Sequence, residues 1–265
     1  MIRIAHLTDL HISAQPPHWT AFFDRRLSGA LNLTVGKRRN AYRSSRQRGE
    51  RAVAQIVADP PDAVVFGGDA SSLAERAELA GAAEILAPLL DLGIPCFALP
   101  GNHDRYTHRA QAQRRFEEAF KDWQCIAGEF QLGNVGSISI GLVDTAQANR
   151  MLWDSRGRQI TLPQELPPIV FSHYALLLPN GEPDRHWHGL RNGQEVIQRL
   201  ADSQPVVWCS GHIHHSFEVS KGNLRQLSAG SIGSPAANWQ MLEIQGSSIE
   251  RRVFSARESE PTNKR

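Results

Sequence analysis

Residues 94–104 read Ile-Pro-Cys-Phe-Ala-Leu-Pro-Gly-Asn-His-Asp. A short apolar run, 94–99, passes directly into a turn that ends in an amide, an imidazole and a carboxylate. Such a run, bounded by turn residues, predicts a buried strand. The same pattern occurs twice upstream. Residues 2–8 lead into Asp9-Leu10-His11, and residues 62–66 lead into Gly67-Gly68-Asp69. Helical stretches lie between and after these strands, at about 43–58, 74–91 and 109–122. Asp59-Pro60-Pro61 stops the first and Gly93 the second. Repeated strand, loop and helix predict right-handed parallel crossovers. The polar residues fall just past the C-terminal ends of the strands, where open α/β sheets carry their sites.

The second half changes character. Runs at 125–132, 135–143, 168–172, 205–210, 216–220, 224–228, 238–244 and 248–254 read as strands, with one helix near 191–201. This predicts a second sheet packed on the first rather than a separate domain. The expected organisation is one domain over 1–255, with a basic insertion at about 12–48 that is irregular to residue 40, and a polar, frayed tail at 256–265. A length of 265 residues with 41% apolar side chains suits one α/β domain with a real core and excludes a mostly disordered chain. No window approaches 18 uninterrupted apolar residues, and the start has no basic segment followed by a long apolar one. Cys96, Cys125 and Cys209 form no CxxC pair and read as free thiols of a reducing compartment, hence a cytoplasmic protein.

Five polar signals each follow an apolar run: Asp9-x-His11, Gly68-Asp69, Gly101-Asn102-His103-Asp104, Ser172-His173 and Gly211-His212-Ile213-His214. Each alone is weak. Together, at strand ends that converge in a layered sandwich, they supply enough donors for two metals sharing one carboxylate. Hard oxygens with imidazole nitrogens suit Mn²⁺, Fe or Zn²⁺ rather than Ca²⁺ or a thiolate site. Two such cations clamp the attacking and leaving oxygens of a phosphoryl displacement.

In order and spacing, these blocks resemble the calcineurin-like metallophosphoesterase superfamily. The likeness covers residues 4–214, and Gly230-Ser231-Ile232-Gly233 resembles that family's late Gly-Ser-x-Gly turn. It implies an α/β (α+β) fold, a four-layer α-β-β-α sandwich of two mixed sheets flanked by helices. It also implies two divalent metal ions, with Mn²⁺ the first choice and Fe or Zn²⁺ also fitting. The first would be held by Asp9, His11, Asp69 and His214. The second would be held by Asp69, Asn102, His173 and His212. His103 would be the catalytic proton donor, its ring oriented by Asp104. Two departures stand out. Ser72 occupies a position that is often Asp or Asn in the family, which touches only the surroundings of the ligands. Ser-His-Tyr replaces the common His-His-Pro at His173, and residue 174 takes no assigned role.

Six histidines remain. His6 reads as a core residue, His215 as a neighbour of the site, and His186-x-His188 as a loop pair that could touch substrate; His18 and His108 take no role. Trp19, Trp153, Trp187 and Trp239 read as packing residues before pocket walls. The net charge of +2 conceals an asymmetry. Residues 22–48 carry eight Lys/Arg against one Asp, or +7, leaving 21 Lys/Arg and 26 Asp/Glu, or −5, elsewhere. This basic, partly amphipathic stretch suits an anionic membrane at the inner face, a lipid-bearing substrate or nucleic acid, and equally a solvated face. The implied substrate is a phosphate ester or pyrophosphate: a phosphodiester or pyrophosphate of a small or lipid-linked nucleotide, UDP-diacylglucosamine included. A cyclic nucleotide or a nucleic acid strand is the alternative, and a non-catalytic scaffold would not need His103. No obligatory protein partner is evident.

Overall fold

The computed structural model describes residues 1–14, 19, 26–34, 37–126, 128–149, 151 and 154–257. Its described strands form two six-stranded sheets. The first contains β1 (Ile2–Leu7), β2 (Ala63–Phe66), β3 (Cys96–Ala98), β4 (Gln124–Cys125), β11 (Asn238–Gln245) and β12 (Ser248–Ser255), in the order β12-β11-β1-β2-β3-β4. The second contains β5 (Phe130–Val135), β6 (Ile138–Val143), β7 (Ile169–Ser172), β8 (Val206–Ser210), β9 (Ser216–Lys221) and β10 (Leu224–Ala229), in the order β5-β6-β7-β8-β10-β9. Strands β1 to β4 are parallel, as are β6, β7, β8 and β10, and the remaining pairings are antiparallel.

Alternation along the strands builds the layers. In β2, Ala63 and Val65 face the second sheet, whereas Val64 and Phe66 face helices α3 (Ser45–Ala58) and α4 (Arg76–Leu86). Period-2 side chains buried on both faces are what a sandwiched parallel strand requires. Ile4, Phe97, Ile140, Phe171 and Leu242 fill the space between the sheets. On the far side, Val170 and Trp208 pack against Val196 and Leu200 of α7 (Gly193–Asp202). The result is the expected α-β-β-α sandwich.

Several boundaries differ from expectation. The 125–132 run divides between the sheets, with β4 ending the first and β5 opening the second. The runs near 238–254 return to the first sheet, where Ile4 lies opposite Leu242. The 74–91 helix becomes α4 and a 3-10 segment at Ala87–Leu92, because Pro88 cannot donate to the α ladder. The 109–122 helix breaks into α5 (His108–Ala112) and α6 (Arg115–Ala119) at Arg114, whose φ is +48°. The stretch expected to be irregular to residue 40 contains α1 (Leu27–Thr34) and α2 (Lys37–Tyr42).

The basic stretch is partly consumed inside the molecule. Arg26 pairs with Glu75 at 3.3 Å, and Arg46 with Glu84 at 3.3 Å. Arg48 donates to the carbonyls of Ala41 and Gly233. Residues 22–25 and 35–36, the side chains of residues 37–39, His18, Trp153 and the tail from 258 lie outside the described residues. No helix among the described residues is long and apolar enough to cross a membrane.

Candidate metal centre

All seven side chains proposed as ligands, and His103, stand at one edge of the sandwich. Asp9 and His11 follow β1, Asp69 follows β2, and Asn102 and His103 follow β3. His173 follows β7, and His212 and His214 follow β8. These strands are neighbours within each sheet, so their C-terminal ends converge across the interface between the sheets.

The loops that carry them hold each other by main-chain bonds. Asp9 N donates to Gly68 O at 2.8 Å, and His11 N to Asp69 O at 2.9 Å. Gly211 N donates to His173 O at 3.0 Å, and His212 N to Asp9 Oδ2 at 3.0 Å. The Gly230–Gly233 turn closes over β1, with Gly233 N and Ser231 Oγ both donating to Asp9 O. This tightness explains two glycines. A Cβ on Gly101 would stand 2.1 Å from Asp69 Oδ1, and one on Gly211 would stand 2.2 Å from Asp9 Oδ2. The backbone is also unusual. Eight non-glycine residues among those described have positive φ, and five are Asp9, His11, Asp69, His212 and His214. Left-handed backbone at non-glycine residues costs energy and persists only where the surroundings over-determine it.

The polar atoms form two adjoining groups. In the first, His214 Nε2 lies 3.0 Å from His11 Nε2 and 3.1 Å from Asp9 Oδ1. His11 Nε2 lies 3.6 Å from both Asp9 Oδ1 and Asp69 Oδ2. In the second, Asn102 Oδ1 lies 3.1 Å from His173 Nε2 and 3.0 Å from His212 Nδ1. Asp69 Oδ2 is 3.4 Å from His173 Nε2 and so stands between the groups. Asp69 Oδ1 accepts from His103 N at 2.8 Å.

This donor set fits cations. Asp9 Oδ1 is buried and has no well-formed hydrogen bond. Burial alone would raise the Asp9 and Asp69 carboxyls, but the facing histidines, His214 for Asp9 and His173 for Asp69, hold both below the usual carboxylate range. Burial would lower His173, yet the Asp69 carboxylate raises it to about 9. A proton thus sits where two buried carboxylates call for positive charge, and a metal binding there would displace it. Burial, then His188 and His173, push His212 well below the ordinary histidine value, so its imidazole is neutral.

The outer partners were less readable. His173 Nδ1 donates to Gly67 O at 2.8 Å, which leaves Nε2 for the cluster. His214 Nδ1 lies 2.7 Å from Tyr42 Oη, at the end of α2 in the basic insertion. His212 Nε2 is 3.2 Å from His188 Nδ1, which is 2.8 Å from Asp184 Oδ2. One ligand atom from each of Asp184, His188 and His212 lies within 4.8 Å of the other two. Tyr174, in the position left without a role, tilts over the His212 ring at 4.2 Å.

One expected contact is absent. Asp104 does not orient the His103 ring. Its carboxylate accepts from Gly101 N, Ala70 N, Ser71 N and Ser71 Oγ, tying the β2 and β3 loops together. His103 Nδ1 instead lies 2.7 Å from the carbonyl of Ser72. Ser72 therefore acts beside the ligands, through its main chain. His6 is buried as expected, but only half satisfied: Nδ1 meets Gln240 Nε2 at 2.9 Å and Nε2 has no partner. Trp239 stacks on Phe254 in the core, whereas Trp19 and Trp187 are exposed.

Residues 2–216 match the family model described as calcineurin-like phosphoesterase. The chain belongs to this family. The phosphoesterase is 26% identical over 226 residues to a probable cyclic nucleotide phosphodiesterase of Pseudoalteromonas sp. (strain SM9913), covering 82% of this chain and 73% of that protein. It also shares its fold with a dimetal phosphatase from Danio rerio, with a TM-score of 0.61 at 11% identity and 96% of each chain covered. Family membership makes this phosphoesterase a hydrolase of phosphoester bonds.

Proposed function

We propose that the protein is a two-metal phosphodiesterase acting on a small nucleotide diester, with Asp9, His11, Asp69 and His214 holding one cation and Asp69, Asn102, His173 and His212 the other. The position of Asp69 Oδ2 carries this reading: 3.6 Å from His11 Nε2 and 3.4 Å from His173 Nε2, it is the one carboxylate oxygen both groups can share. Divalent cations bound there would neutralise phosphoryl oxygens and acidify water. The likeness to a probable cyclic nucleotide phosphodiesterase of Pseudoalteromonas supports a nucleotide diester as substrate. Three unpaired cysteines support a reducing compartment.

The chain's own residues supply the remaining chemistry. With Nδ1–H donated to Ser72 O, His103 exchanges protons through Nε2, and this is the proton it would pass to a leaving oxygen. Asp69 Oδ1 fixes the His103 main chain, which couples the position of the shared carboxylate to that of the proton donor. Within residues 22–48, Tyr42 and Arg48 support this reading, Tyr42 through His214 and Arg48 through the Gly233 carbonyl.

The test is hydrolysis of bis-p-nitrophenyl phosphate, 3′,5′-cyclic AMP and UDP-diacylglucosamine with Mn²⁺, Fe²⁺ or Zn²⁺ after EDTA treatment. EDTA should abolish turnover and a divalent metal, Mn²⁺ first, should restore it. His103→Ala should lower kcat by roughly 10²–10⁴-fold while metal binding persists. Failure of every metal to restore turnover, or full activity of His103→Ala, would overturn the assignment.

A further inference from the structure

A cavity of about 610 Å³ opens on the metal centre, with Ser155, Leu178, Trp187, His188, His212 and His214 in its wall. Trp187 is unusual there. Its side chain is large and apolar, yet the residue remains 48% exposed. An exposed tryptophan forgoes the burial free energy that normally places this side chain inside.

The loop that carries it is nonetheless well anchored. Asp184 Oδ1 accepts from Arg185 N at 2.6 Å, and Arg185 O accepts from His188 N and Gly189 N at 2.9 Å each. Trp187 O accepts from Ser155 N at 3.2 Å and Ser155 Oγ at 3.1 Å. The Arg156 guanidinium stands 4.6 Å from the indole centroid, and Asp154 holds that guanidinium through Nε at 3.0 Å and a second nitrogen at 2.9 Å. One face of the indole is therefore backed by a fixed cation. His186 meets the ring nearly perpendicular at 5.2 Å, and the residue stays half exposed where it lines the cavity. A planar π surface anchored in a cavity wall is a stacking platform that needs little rearrangement to bind. It lies in the same cavity wall as His212, so a group stacked on it would belong to a molecule whose phosphate reaches the metals.

We propose that Trp187, backed by Arg156, stacks on the nucleobase of a nucleotide whose phosphate occupies the metal centre. The inference rests on the phosphodiesterase reading and assigns its specificity to this loop. Stacking tolerates any base, so the site selects for an aromatic ring rather than for one base identity. His188 joins the two regions, since it lines the cavity and its ring lies 4.1 Å from that of His212.

The experiment is calorimetric binding of 5′-AMP and of ribose 5-phosphate to the Mn²⁺-loaded protein, beside turnover of cyclic AMP and of glycerophosphoethanolamine, a diester with no ring. Wild type should bind AMP about 10-fold more tightly than ribose 5-phosphate, as one stacked base supplies. Trp187→Ala should erase that preference, and Trp187→Phe should retain most of it. Trp187→Ala should raise KM for cyclic AMP about 10-fold with kcat preserved, and leave the ring-free diester unaffected. Equal binding of the two phosphates by wild type, or an unchanged preference in Trp187→Ala, overturns the proposal even if both diesters are hydrolysed. Absence of all turnover with an intact AMP preference would instead overturn the phosphodiesterase reading and leave the stacking site standing.

Discussion

Tyr42→Phe isolates what the insertion contributes to the metal centre. For His214 Nε2 to serve as a ligand beside Asp9 Oδ1, 3.1 Å away, the ring proton must reside on Nδ1. That proton meets Tyr42 Oη at 2.7 Å. Phenylalanine keeps the ring, which packs edge-on to His11 with centroids 4.7 Å apart, and removes only the oxygen. A neutral hydrogen bond contributes about 1 kcal/mol, and partners that orient metal-bound histidines carry roughly 10–100-fold in affinity. The His214 side chain is 27% exposed, so water can partly replace the phenol. This places the effect at the lower end, a loss of about 10-fold in Mn²⁺ affinity, or ~1.4 kcal/mol. Calorimetric titration of metal-free protein with Mn²⁺ measures it directly, and thermal melting of the metal-free forms should show little difference. If Tyr42→Phe binds both ions as tightly as wild type, the phenol does not orient His214. If His214→Ala also binds both, His214 is not a ligand.

Two further substitutions probe the frame around the centre. Gly101→Ala would place a methyl group 2.1 Å from Asp69 Oδ1 and 2.4 Å from Asp69 N, so the β2 and β3 loops must separate. A stability loss above roughly 3 kcal/mol in urea and loss of metal binding are expected, and a wild-type urea midpoint would show that the loops are not so tightly apposed. Glu78 is buried and accepts from Ala14 N at 3.0 Å and Leu73 N at 2.8 Å, and burial raises its carboxyl to about 7. The folded state thus holds a proton that the unfolded chain releases near 4.5, so this group's contribution falls as pH rises from about 4.5 to 7. The difference is on the order of 3 kcal/mol. Glu78→Gln should be less stable near pH 5, yet lose less than wild type between pH 5 and 8 in urea unfolding. Parallel pH profiles would refute the raised carboxyl.

The residues brought together at the centre were readable because each directly follows an apolar run, and parallel strands end on one side. That placed Asp9, Asp69 and Asn102 at strand ends, whereas their division between two ligand sets came only from the family resemblance. Tyr42 was not readable, since it lies 31 positions after His11 in a stretch whose arginines attracted the reading instead. Summed charge gave no hint that Arg26, Arg46 and Arg48 are committed to Glu75, Glu84 and main-chain carbonyls. The contact between His103 and Ser72 escaped because it uses a carbonyl, which every residue has. Asp104 was misread for the related reason that adjacency in sequence does not aim a side chain. The helix at 109–122 shows the same limit, as nothing in its composition marks Arg114 as left-handed.

The left-handed backbone gives the motifs a physical meaning beyond their donor atoms. A ligand on a regular strand would alternate faces with its neighbours, so Asp9 and His11 would share a face but point with the strand's own twist. At φ of +58° and +52° the chain turns instead, and both side chains meet donors from β2 and β8. That conformation is costly for each residue, and three devices offset it here. Gly68 O and Asp69 O accept from Asp9 N and His11 N, the Gly230–Gly233 turn grips Asp9 O, and Arg48 holds the Gly233 carbonyl in turn. Some of these grips join main chain to main chain, and the Ser231 and Arg48 side chains add bonds to main-chain carbonyls, so the loops that carry Asp9 and Asp69 are held together from several sides. A cation bound by these side chains would thus meet donors that the fold already aligns. Arg48, read from sequence as part of a surface, is then one of the residues on which that preorganisation depends.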